Sequence, residues 1–136
     1  MIEINNLTNS RVDKNFLKRV AKKVLKEENR ERAELSIALI GPAKIRELNK
    51  KYRKKNKITD VLAFPDSEMG FGEIIICPEQ VKKNAKRFGE NFEKELARVL
   101  VHGILHLLGY DHEKDERGAR IMKVKEEFYL SKIKFN

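Results

Sequence analysis

The first residues of the chain alternate, with Ile2 and Ile4 on one side, and this period of two predicts a strand over Met1–Asn6. The period then lengthens. Val12, Phe16, Val20 and Val24 recur at close to 3.6 residues, and Ser10 with Asp13 three positions on reads as the start of a helix that runs to about Glu27. Leu35, Ile37 and Leu39 share one face of a second strand, Leu35–Ile40. Gly41-Pro42 opens a second helix, since proline is favoured in the first turn, and Ile45, Leu48 and Tyr52 form its apolar stripe. A third strand is expected over Thr59–Phe64, stopped by Pro65. A fourth covers Gly72–Cys77, with Ile74, Ile75 and Ile76 buried on both faces. The short return between these two strands predicts an antiparallel hairpin.

Pro78 begins a third helix with Val81, Ala85 and Phe88 inward, and Gly89 ends it. Asn91 caps a fourth helix whose core is the apolar run Val99–Leu108. A last helix is expected from about Lys114 to Leu130, with Ile121, Val124 and Phe128 facing inward. The order is βαβαββααα. It predicts an α/β (α+β) fold, a small mixed four-stranded sheet with about five packed helices, in a single domain spanning 1–136. The first two βαβ units imply right-handed parallel crossovers.

The fourth helix changes the picture, because the three histidines of the chain all fall in or just after it. From Val99 to Leu108 the only polar side chains are His102 and His106. A helix this apolar is buried, and buried polar groups need partners. A spacing of four puts both imidazoles on one face, one turn apart. Gly109 can take a positive φ and end the helix, which lets the chain return His112 to the same face. The spacing H-x-x-x-H-x-x-G-x-x-H is that of the metzincins with Gly103 in place of the glutamate that follows the first histidine. Three histidines leave a coordination position open, as catalytic zinc sites do.

Composition adds a second clue. The net charge is +9, and a small, strongly basic chain favours polyanions such as RNA. The densest positive run, Lys50-Lys51-Tyr52-Arg53-Lys54-Lys55-Asn56-Lys57, falls at the end of the second helix. One or two cations would satisfy the helix dipole there, so Lys50, Arg53, Lys54, Lys55 and Lys57 are read as phosphate contacts. No apolar run is long enough to span a bilayer. Ile2–Arg11 is poor in apolar residues and no cleavage site follows, so no signal peptide is expected. A lone cysteine, Cys77, excludes an internal disulfide and fits a reducing cytoplasm.

The segment His102-Gly103-Ile104-Leu105-His106-Leu107-Leu108-Gly109-Tyr110-Asp111-His112 resembles the signature of the YbeY family, the rRNA maturation endoribonucleases. Asn49-Lys50-Lys51-Tyr52-Arg53, followed by Thr59-Asp60-Val61-Leu62-Ala63-Phe64-Pro65, is similar to a second family segment, and Gly72-Glu73-Ile74-Ile75-Ile76 to a third. Glu73, Ala63 and Ile58 stand where the family commonly has aspartate, serine and proline, and none of them is a metal ligand. The resemblance implies a cytoplasmic enzyme with one zinc ion per chain, held by His102, His106 and His112. It implies cleavage of single-stranded RNA in the maturation of the 3′ end of small-subunit rRNA and in ribosome quality control, with ribosomal particles as partners. By the same resemblance Arg53 matters for activity.

Zinc can bring the pKa of water to about 7, which suits a site without a strong base. Arg53 is suited to the charge that develops on a phosphoryl oxygen. Asp111 is read as an orienter of an imidazole, with general base as the lesser role. Hydrolysis by water and attack by the RNA 2′-hydroxyl are both open at this point. So are three other readings: a zinc peptidase, a non-catalytic RNA- or ribosome-binding module with structural zinc, and a site for nickel or copper.

Overall fold

The computed structural model describes residues 1–66, 70–110 and 115–135. Along the chain these form β1 (Ile2–Asn6), α1 (Lys14–Glu27), β2 (Leu35–Leu39), α2 (Pro42–Arg53), β3 (Val61–Asp66), β4 (Phe71–Ile76), α3 (Pro78–Phe88), α4 (Phe92–Leu107) and α5 (Glu116–Ser131). The four strands form one mixed sheet in the order β1-β2-β4-β3. β1 and β4 each run parallel to β2, and β3 is antiparallel to β4.

The alternation of side chains in β4 divides the interior into two layers. Ile74 and Ile76 point to the larger core with Leu35, Ile37 and Leu39, covered by α1, α3, α4 and α5. Ile75 points the other way, into a smaller cluster with Leu62, Cys77 and Ile45 of α2. α4 is the central helix of the larger layer. It packs on β3 and β4 and is flanked by α1, α3 and α5. That position explains why its sequence is apolar nearly all round. Helix entry follows the local chemistry. The Asn91 side chain accepts from the Lys94 N–H at the start of α4, and Asp115 accepts from Gly118 at the start of α5.

Five expectations are corrected. Asp13, not Ser10, caps α1, by accepting from the Phe16 N–H. β3 does not stop at Pro65 but carries it, opposite Gly72; β3 is an edge strand, where a missing N–H costs no ladder bond. The second βαβ unit is not a parallel crossover, because β3 is antiparallel to β4 and β4 is parallel to β2. The inward face of α5 is Met122, Tyr129 and Leu130, while Ile121, Val124 and Phe128 are exposed, as is Phe88 on α3. The expected start of the last helix at Lys114 lies outside the described residues.

Candidate active site

α4 lies so close to the sheet that its register is set by a glycine. A Cβ on Gly103 would stand 3.2 Å from both Cδ1 and Cγ2 of Ile74, a side chain with no solvent exposure. With position 103 turned onto β4, His102 and His106 fall on the flank of the helix. Their rings are 4.9 Å apart between centroids and inclined at 71°. Both are half-buried. α4 ends at Leu107 with Leu108 as its cap, and Gly109 follows with φ of 100°, the left-handed conformation expected of it. His112 and Asp111 lie outside the described residues.

The two imidazoles line a cavity of about 340 Å³ whose lining also includes residues from the end of α2, the loop after it and the start of β3. Arg53, Lys55 and Lys57 are in that lining; Lys50 and Lys54 are exposed and are not. Arg53 is the last residue of α2, and its Nη2 donates to the Ala63 carbonyl at 2.9 Å. Its guanidinium carbon also lies 5.9 Å from the centroid of the Phe64 ring. One of five donors therefore ties the guanidinium to β3 beside the histidines. The loop bearing Lys55 and Lys57 is held by Asn49, a buried residue whose Nδ2 donates to the Lys57 carbonyl at 3.0 Å. Arg46 Nε adds a bond of 2.9 Å to Asn56 Oδ1.

The same cavity has an acidic side, made by Asp60, Glu95 and Glu126. Arg98 Nε lies 3.3 Å from Glu95 Oε1, and Arg98 Nη1 lies 3.0 Å from Glu127 Oε1. Burial pushes the Glu95 carboxyl above its usual range, and the Arg98 charge opposes that. Glu126 of α5 contacts His102 Nδ1. Which of the two donates depends on the tautomer of His102. Glu95 and Arg98 were within reach of the sequence, because they stand seven and four residues before His102, on its face of the helix. Glu126 carried no such signal, since its approach depends on how α5 packs on α4.

The described donors fit a metal that takes imidazole nitrogen. His102 and His106 share one face and one cavity, and a carboxylate on Nδ1 is the usual partner of a ligating histidine. Among the described residues no group of three His, Cys, Asp or Glu is placed to hold a metal ion.

The family model for endoribonuclease YbeY matches residues 3–134. The chain is 45% identical over 98 residues to an endoribonuclease YbeY of Thermotoga neapolitana, covering 72% of this chain and 66% of the relative. It is 46% identical over 117 residues to one from a Sulfurihydrogenibium species, covering 82% and 77%. The matched segments thus span about two thirds to three quarters of these relatives. In three dimensions the chain is similar to the solution structure of TM1509 from Thermotoga maritima. That match has a TM-score of 0.71 at 35% identity, over 98% of this chain and 89% of that one.

Proposed function

The chain belongs to the YbeY family of endoribonucleases, and on that premise we propose that it cuts single-stranded RNA using one zinc ion held by His102, His106 and His112. The proposed setting is maturation of the 3′ end of small-subunit rRNA and ribosome quality control, on ribosomal particles in the cytoplasm. One observation carries the reading: the histidine pair and the cations Arg53, Lys55 and Lys57 share the lining of one cavity. A nitrogen-rich metal site beside fixed cations suits a phosphodiester, whose negative charge grows as phosphorus is attacked.

In this reading Arg53 holds the phosphate. Its bond to the Ala63 carbonyl fixes the guanidinium plane, so that its remaining donors can pair with a non-bridging oxygen in fork geometry. Lys55 and Lys57 neutralise flanking phosphates. A cavity of about 340 Å³ is at the small end of ligand sites, which favours an unstacked nucleotide over a duplex. Zinc bound to the histidines supplies Lewis-acid charge and lowers the pKa of water toward neutrality. The peptidase alternative is set aside on family grounds and on steric ones. A glutamate at 103 would have to begin its side chain 3.2 Å from Ile74, so the base that zinc peptidases use at that position requires Ile74 to move.

The test is cleavage of a labelled single-stranded RNA carrying an rRNA 3′ extension, with zinc content measured on the same samples. His106→Ala is expected to lose zinc and cleavage together. Arg53→Ala is expected to keep zinc and fold but to lower turnover by about 10²–10³, the usual cost of one donor to a transition-state oxyanion. Activity in His106→Ala without metal contradicts the zinc reading, and normal turnover in Arg53→Ala removes that residue from the site.

A further inference from the structure

His102 is held by a residue outside the histidine motif. Glu126 comes from α5, 24 residues further along the chain, and its carboxylate meets His102 Nδ1. Both side chains are largely shielded, at 27% exposure for His102 and 14% for Glu126. The contact is built rather than incidental, because neighbouring residues fix the rotation of α5 about its axis. On one side Lys125 donates to Glu28 Oε2 at 3.0 Å, and Tyr129 donates to the same carboxylate. On the other side Glu127 pairs with Arg98 of α4 at 3.0 Å. Between these two anchors, position 126 has to face α4 at the level of His102.

We infer that Glu126 is a positioning residue of the centre: by accepting the Nδ1–H of His102 it fixes the tautomer and ring orientation in which Nε2 ligates the metal. A neutral imidazole carries its proton on one nitrogen only, so a carboxylate on Nδ1 assigns coordination to Nε2. The same contact makes the ligand more basic and stops the ring from rotating about χ2. Asp111, within the motif and read from the sequence as an orienter of an imidazole, lies outside the described residues. The inference rests on the metal reading above.

The experiment has two readouts on the full chain. The first is the tautomer of His102 in metal-free protein at pH 8, read from imidazole ¹⁵N shifts and assigned by comparison with His102→Ala. The second is zinc affinity, from competition with a chelator. In wild type the Nδ1–H tautomer should dominate. Glu126→Ala should give a tautomer mixture and a 10–100-fold loss of zinc affinity, the usual range for such outer-shell partners. Glu126→Gln has a carbonyl oxygen that can still accept, so it should keep the tautomer with a smaller loss, and it serves as the variant should alanine fail to fold. A wild-type tautomer and wild-type zinc affinity in both variants overturns the inference. Failure of the underlying metal reading looks different: wild type itself then takes up no zinc, whatever the tautomer of His102.

Discussion

At the scale of single residues, Glu28 shows how far from the histidines the site is braced. It ends α1, yet it accepts from Tyr110 at 3.0 Å, from Lys125 at 3.0 Å and from Tyr129. Tyr110 stands two residues before His112, so this node ties the end of the motif to two other helices. Burial alone would raise the Glu28 pKa, but bonds from Tyr129, Lys125 and Tyr110 outweigh it and hold the carboxyl below its ordinary value of 4.5. The Tyr129 phenol is pushed well up by burial and by its bond to Glu28. The sign follows from linkage. A lowered carboxylate pKa stabilises the fold at pH values above 4.5, and that contribution is lost as the pH falls through the lower folded value. Glu28→Gln should therefore cost about 1–3 kcal/mol at pH 7 and less at a pH below 4.5, where the carboxylate begins to lose its charge in the unfolded chain. Urea unfolding at the two pH values measures this; an equal cost at both would show that the charge of Glu28 is irrelevant. The histidines were legible in the sequence because their spacing is local. The partners Glu28 and Glu126 were not, because nothing along the chain records which helix faces which.

At the scale of elements, the pairing of α4 with β4 decides the geometry. Gly103 lets the helix backbone approach Ile74, and at the end of α4 Leu107 comes within 2.8 Å of where a Cβ on Gly72 would be. Helix propensity favours alanine over glycine by about 1 kcal/mol. A methyl group on position 103, however, stands 3.2 Å from the fully buried Ile74 side chain, which has to shift by a few tenths of an ångström, at an overpacking cost of about 1–3 kcal/mol. Gly103→Ala is expected to lower stability by roughly 1 kcal/mol net, and Gly103→Glu to prevent folding rather than create a peptidase. Denaturant midpoints check the first and soluble yield the second. A fully stable Gly103→Glu would refute the steric account of the missing base. Element type was read correctly wherever a period was sustained, as in α1, α4 and β4. The face of α5 was misread because its exposed side carries Ile121, Val124 and Phe128 while its inner side carries Lys125, Glu126 and Tyr129. A helix that brings polar groups to a site defeats a rule that sends them outward. The direction of β3 was misread because strand and helix alternate in the sequence whether or not the next strand pairs in parallel.

At the scale of the whole molecule the net charge is +9, and the histidine cavity takes Arg53, Lys55 and Lys57 into its lining together with Arg98 and the carboxylates of Asp60, Glu95 and Glu126. Binding of single-stranded RNA should weaken as salt rises, with each neutralised phosphate contributing about 0.7 to the slope of log K against log salt. Lys55→Ala and Lys57→Ala are each expected to reduce that slope by about 0.7 while leaving zinc content intact. Titrations between 50 and 200 mM salt, on the order used for such slopes, would show it, and an unchanged slope would remove these lysines from the RNA path. Sequence alone supplied the charge and its densest run, but not which cations reach the cavity; Lys54, the left-handed cap of α2, is outside the lining, while Lys55 and Lys57 are in it. The central claim is that one zinc ion held by the histidines makes this fold a ribonuclease. Its most direct test is to strip the protein of metal and follow cleavage of the labelled RNA while zinc is returned in measured amounts. Cleavage should be absent at first and rise in proportion to added zinc until one ion per chain is bound. Cleavage by the stripped protein at the full rate would contradict the account.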